Sequence, residues 1–250
     1  MRGPVEIVPG VYGLGSDLVN WYLVEDEGRL TAVDAGLPGF RGRLEGELRD
    51  LGHEPSDVQA VVLTHSDTDH TGLAPTLRQS GARVLIGAGD QDTLRRPRPS
   101  KGGDASPVHV LPHLFKPRFL RFMGSMVLGG AARPAKVDDA ETFGDGDVLD
   151  VPGQPRVVAT PGHTPGHCVV LFERHGALFV GDELCTWNPL TNNRGPQVLP
   201  SSFNVDTNGC FESLAALEPL DAAVVLPGHG EPWRDSPAAA VARAREAGRS

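Results

Sequence analysis

Thr64-His65-Ser66-Asp67-Thr68-Asp69-His70 directly follows the apolar run Ala60-Val61-Val62-Leu63. The run reads as a buried strand. Its end therefore presents four coordinating side chains, His65, Asp67, Asp69 and His70, in one short segment. A lone histidine is commonly structural, and a lone aspartate commonly caps a turn. Two carboxylates held side by side repel unless a cation neutralises them, so the pattern points to a metal.

Three further candidates share that setting. His163 lies in Thr160-Pro161-Gly162-His163-Thr164-Pro165-Gly166-His167, Asp182 follows the apolar segment 177–180 and Gly181, and His229 lies in Pro227-Gly228-His229-Gly230 after 222–226. Each sits on a Gly-rich turn after a strand, where glycine permits backbone geometries that aim a short side chain inward. A rigid sheet with ligands on its end loops holds a metal site in register.

Around these turns, strands are expected at 5–8, 20–24, 30–33, 83–86, 148–151, 156–159 and 168–172. Helices are expected at 39–51, where Phe40, Leu44, Leu48 and Leu51 share a face, at 72–79, at 208–217, and from the Ser236 cap and Pro237 to near Gly248. Strands interleaved with helices specify a layered α/β arrangement. No linker divides the chain, so 1–250 reads as one domain of two similar halves. Residues 94–136 form a variable insert. Its Pro-, Arg- and Gly-rich part, 95–103, reads as a mobile loop, and Phe115, Phe119, Phe122 and Met126 then recur at helical spacing. That helix is a packed element, a lid over the site or an oligomer contact. Gly144-Asp145-Gly146-Asp147 lacks the spacing of a calcium loop and reads as a hairpin turn between Phe143 and Val148.

Taken in order, Val33-Asp34-Ala35-Gly36, the 65–70 motif, the His163 turn, Asp182 and the His229 turn resemble the metallo-β-lactamase superfamily over nearly the whole chain. The resemblance implies an αββα sandwich with two divalent metal ions. It assigns His65, the residue at 67 and His163 to one metal and Asp69, His70 and His229 to the second, with Asp182 bridging. Asp69 also orients a metal-bound hydroxide, and His163 rather than His167 is the ligand. His167 is left to pack or hydrogen-bond nearby, while His53 and His175 read as surface turns. His109 and His113 fall in the insert, exposed or within reach of substrate.

The family motif is His-x-His-x-Asp-His, and this chain departs from it with Asp67 at the second histidine. A carboxylate there makes the first site harder and more anionic, so zinc is the default while iron or manganese enters consideration. It also weakens the cation's pull on a bound water. Asp is shorter than His, which leaves direct ligation, or ligation through a water, open. The family's flavodiiron branch carries Glu at this position.

Composition narrows the chemistry. The chain has 250 residues and a formal net charge of −9, which disfavours nucleic acid as a partner because phosphate binding needs a basic face. No apolar stretch approaches membrane-spanning length, and the N-terminus does not resemble a signal peptide. Cys168, Cys185 and Cys210 have no framework spacing, and Cys168 reads as buried packing. The expected protein is cytoplasmic, acts on a small-molecule substrate and is a possible homo-oligomer. Its expected activity is metal-dependent hydrolysis of an ester, thioester or lactone. The alternatives are phosphodiester hydrolysis, an iron-dependent oxidative reaction of flavodiiron or persulfide dioxygenase type, and a non-enzymatic protein with a structural metal clamp.

Overall fold

Residues 3–16, 18–97, 102–105 and 116–249 are described by the structure, a computed structural model. The first half runs β1 (Val5–Val8), β2 (Val11–Gly15), β3 (Asn20–Asp26), β4 (Arg29–Val33), α1 (Arg41–Asp50), β5 (Val58–Leu63), α2 (Thr68–Thr71), α3 (Ala74–Gln79), β6 (Arg83–Gly87), α4 (Gln91–Arg95), α5 (Pro117–Leu128) and β7 (Glu141–Phe143). The second half runs β8 (Arg156–Ala159), β9 (Cys168–Phe172), β10 (Ala177–Gly181), β11 (Cys185–Trp187), β12 (Arg194–Gln197), α6 (Thr207–Ser213), β13 (Val224–Pro227) and α7 (Pro237–Ala247).

β1 to β7 form one sheet in sequence order, antiparallel through β4 and parallel from β4 to β7. A second sheet has the order β13-β10-β9-β8, and β11 pairs with β12 in a separate hairpin. The alternation of side chains along each strand sorts the core into three layers. On β9, Cys168, Val170 and Phe172 face the other sheet, with Val24, Val33 and Val62 among their neighbours. Val169 and Leu171 face outward to Leu214, Leu217 and Val241 near and on the second half's helices. On β5, Val61 and Leu63 likewise turn outward to Leu44, Leu48 and Leu77 on α1 and α3. Three buried interfaces separate four layers, giving the expected αββα sandwich. Strands apolar on both faces show as continuous apolar runs, which is why β5, β9 and β10 were readable.

Several expectations need correction. Residues 148–151 make one bridge, Val148 to Arg156, and no strand; Val151 N–H donates to Leu149 O and Gln154 N–H to Val151 O, so the backbone coils into tight turns. The Gly144–Asp147 turn is no hairpin. β7 ends in the first sheet and the chain crosses there to the second, held by Gly144 N–H to Asp147 Oδ2 and Ala159 N–H to Asp145 Oδ1. The helix expected at 208–217 is α6 followed by a short 3-10 turn at 214–216, while the helix expected at 72–79 is α3, with the separate short helix α2 before it. Phe115, His109, His113 and 98–101 lie outside the described residues. In α5, Phe119 and Phe122 are buried against Trp187 and Leu190, while Leu120, Met123 and Val127 are exposed. Among the described residues, no helix is long and apolar enough to cross a membrane.

Candidate metal centre

β5 of the first sheet and β10 and β13 of the second all end at one edge of the sandwich, as does the turn between β8 and β9. That shared edge brings the seven candidates together. Donor atoms of His65, Asp67, His163 and Asp182 lie within 4.8 Å of one another, and so do those of Asp69, His70 and His229. Asp182 stands between the two groups. Its Oδ2 is 3.5 Å from His163 Nε2 and 3.3 Å from His229 Nε2, and its Oδ1 is 3.4 Å from His70 Nε2. Asp67 reaches the first group without an intermediary: its Oδ2 is 3.1 Å from His163 Nε2 and 3.5 Å from His65 Nε2.

All four imidazoles are aimed by the same device. Each engages an oxygen through Nδ1, which leaves Nε2 pointing into the cluster. The partner is Asp34 Oδ2 for His70 at 2.8 Å, Asn204 Oδ1 for His163 at 3.0 Å, the Leu18 carbonyl for His229 at 2.6 Å and Thr64 Oγ1 for His65 at 3.0 Å. Thr64 Oγ1 in turn donates to Asp34, which also accepts from Thr64 N–H. One buried carboxylate, Asp34, thus orients two of the four histidines. It does so from a left-handed backbone conformation, with φ of 58°, that a non-glycine residue adopts at a cost.

Two other side chains hold the ligand turns. Asp90 is fully buried and joins the 65–70 and 160–167 loops, accepting from Ser66 N–H, Thr164 Oγ1 and Gly166 N–H. His167 is outside both donor groups: its Nδ1 pairs with Thr160 Oγ1, and its Nε2 accepts the backbone N–H of Asp182. Burial, reinforced by His65 and His163 nearby, holds His167 well below the usual imidazole range, consistent with a neutral acceptor.

The electrostatics favour positive charge at the centre. Burial works against protonation of His70, but Asp182, Asp34 and Asp69 outweigh it and hold that imidazole well above its ordinary range. His229 is likewise opposed by burial and raised by Asp182 and Asp69, to about 9. Asp182 is buried, which alone would raise it, yet His229 and His70 hold it well below the carboxylate range. Meanwhile His65 Nε2, His70 Nε2 and Asp182 Oδ1 are buried with no hydrogen-bond partner. Unsatisfied buried polar atoms are rare and costly, and here they converge on one point. Imidazole nitrogens mixed with carboxylate oxygens form a donor set suited to divalent cations, so these residues fit the metal that the motif implies. The cluster opens to solvent at Asp67 and Asp69, whose side chains are 24% and 13% exposed.

Asp34, Asp90, Asn204 and the Leu18 carbonyl escaped the sequence reading as functional groups. Asp34 had a signal: a carboxylate directly after an apolar strand and two residues before Gly36. The other three are brought in by tertiary structure alone.

The family model of the metallo-beta-lactamase superfamily matches residues 14–229. Among curated relatives, YobT of Bacillus subtilis is 34% identical over 66% of this chain, which spans 61% of that protein. Probable metallo-hydrolase YflN of the same organism is 27% identical over 91% of this chain and 86% of its own. A hydroxyacylglutathione hydrolase of Salmonella gallinarum is 28% identical over 66% of this chain and 46% of its own. Among solved structures, a metallo-beta-lactamase family protein from Thermus thermophilus superposes with a TM-score of 0.68 at 27% identity, covering 97% of this chain and 79% of that one. The match through both halves, on the fold and site just described, makes this chain a member of the metallo-β-lactamase superfamily.

Proposed function

We propose that the chain hydrolyses an ester, thioester or lactone at a two-metal centre. His65, Asp67 and His163 would hold one cation and Asp69, His70 and His229 the other, with Asp182 within reach of both groups. One observation carries this reading: the buried, unpartnered Nε2 atoms of His65 and His70 and Oδ1 of Asp182 meet at a point surrounded by carboxylates. Divalent cations bound there supply Lewis-acid polarisation of a carbonyl oxygen and acidify a water at neutral pH.

The protein's own groups do the rest. Asp69, at the partly open face, orients the attacking water and takes its proton. Asp34, through His70 and Thr64, fixes the geometry in advance, so little reorganisation remains for the reaction. The apolar cluster of Phe119, Phe122, Trp187 and Leu190 stands beside His229, with the Phe122 and His229 ring centroids 6.5 Å apart. It supports an acyl group over a phosphodiester, as does the net charge of −9. The relative named for hydroxyacylglutathione supports including thioesters. A cytoplasmic location belongs to the same reading and is supported by three buried cysteines, none of them joined in a disulfide.

Zinc is the default metal, and Asp67 adds the possibility of a harder ion. The Asp67→His chain, purified without added metal, is expected to carry more zinc and less manganese or iron than wild type. Unchanged metal content and turnover would remove Asp67 from the ligand set. A panel of ester, lactone, thioester and phosphodiester substrates tests the reaction itself, and turnover of phosphodiesters alone would overturn the acyl reading. The Asp67 carboxylate also favours a second reading, oxidative chemistry at iron. Iron content coupled to oxygen consumption would select it.

A further inference from the structure

Next to the metal centre lies an open cavity of about 600 Å³, bounded by β1 to β3, α5, the β11–β12 hairpin and the segment after β13. It begins one residue beyond His229, at Gly230, and the Leu18 that accepts from His229 Nδ1 also lines it. Phe122 joins the two spaces, with its ring centroid 6.5 Å from that of His229 and 5.9 Å from that of Trp187. Trp187 is held in place by its indole N–H, which donates to Asn192 Oδ1 at 3.0 Å. The size and the aromatic wall are those of a small-molecule site.

Its charge runs against that of the chain. The protein carries −9 overall, yet three guanidinium groups, Arg121, Arg194 and Arg234, line this one cavity, against a single carboxylate, Glu231, among the described residues. Arg234 is committed to the Ile7 carbonyl, 3.3 Å from both terminal nitrogens. Arg121 precedes Phe122 on α5, and Arg194 pairs across the hairpin with Trp187. Both cations are exposed and stand on the same two elements, α5 and the β11–β12 hairpin, that carry the aromatic wall. A cation beside an apolar wall binds an anion more strongly than one surrounded by water. Guanidinium groups also grip carboxylates through paired N–H donors. Glu231 on the same cavity disfavours a dianion more than a monoanion, which selects a carboxylate over a phosphate.

We propose that this cavity binds a carboxylate carried by the substrate, with Arg121 and Arg194 supplying the charge and Phe122 and Trp187 the apolar contact. Resting on the hydrolase reading, this narrows the substrate to an ester, thioester or lactone whose acyl or leaving portion ends in a carboxylate. The test is calorimetric titration of the metal-loaded protein with 4-phenylbutyrate, its uncharged amide and inorganic phosphate. The acid is expected to bind at least about tenfold more tightly than the amide. The Arg121→Gln/Arg194→Gln chain is expected to bind the two alike, and the Arg121→Lys/Arg194→Lys chain to keep most of the preference. Equal binding of acid and amide by wild type would overturn the proposal. So would an acid preference that survives the double Gln change, because the carboxylate would then be bound elsewhere. Phosphate binding more tightly than 4-phenylbutyrate would overturn it in favour of a phosphoryl ligand. Binding is read without turnover, so loss of the hydrolase reading and loss of this site give different results.

Discussion

Asp182→Ala is expected to leave a folded protein that binds less than one metal ion per chain and hydrolyses its substrate at least about a hundredfold more slowly. Among the described residues Asp182 is the carboxylate found against both donor groups, within 3.5 Å of His70, His163 and His229 and within 4.0 Å of His65. On the proposed two-metal reading its removal takes a ligand from each cation and leaves Asp67 and Asp69 to supply the negative charge at the imidazole Nε2 atoms. Loss of outer partners of metal ligands costs 10- to 100-fold in affinity or activity, and a shared ligand costs more. Metal content by mass spectrometry, read beside far-UV circular dichroism, checks both halves of the expectation. An Asp182→Ala chain that keeps two metals would remove the bridging role.

The second large effect comes from a residue that binds nothing. A Cβ on Gly228 would sit 2.4 Å from His70 Cε1 and 2.5 Å from Asp182 Oδ1. Neither neighbour has room to retreat. His70 is tied through Nδ1 to Asp34, and the Gly228 backbone is pinned by Gly228 N–H to Gly181 O at 2.7 Å and Asn20 N–H to Gly228 O at 2.8 Å. Gly228→Ala is therefore expected to push His70 and Asp182 apart and lower activity by about two orders of magnitude, the scale set by displacing groups around a metal site. Stability should fall by about 1–3 kcal/mol, as for other overpacked interiors. Titration with zinc should show weakened binding at one of the two sites. Wild-type affinity and rate in the Gly228→Ala chain would mean that the space around His70 yields more easily than the packing indicates.

The parts of this protein that were readable in advance share a physical cause. His65, Asp67, Asp69 and His70 are adjacent in sequence and follow β5, a strand apolar on both faces, so local pattern alone located them. His163, Asp182 and His229 were readable for the same reason, each following its own buried run. The groups that orient them were hidden. Asn204 reaches His163 from 41 residues away, and Leu18 reaches His229 from 211. Asp90 looks in sequence like any carboxylate at a helix start, although it staples two ligand loops. β2, Val11–Gly15, contains two glycines that interrupt the alternation expected of a strand. The β11–β12 hairpin was missed because Asn188-Pro189-Leu190-Thr191-Asn192-Asn193 between its arms gives no two-residue turn signal. The same hairpin supplies Trp187 and Arg194 to the cavity beside the His/Asp cluster, so the element most opaque in sequence lines the proposed substrate site.

On the proposed reading the seven clustered residues hold two cations. The most direct measurement is metal bound per chain after reconstitution and exhaustive dialysis, made for wild type, His65→Ala and His229→Ala in parallel. Two equivalents in wild type and about one in each variant is the predicted result. A wild-type chain that retains less than one equivalent, or variants that each retain two, would contradict it.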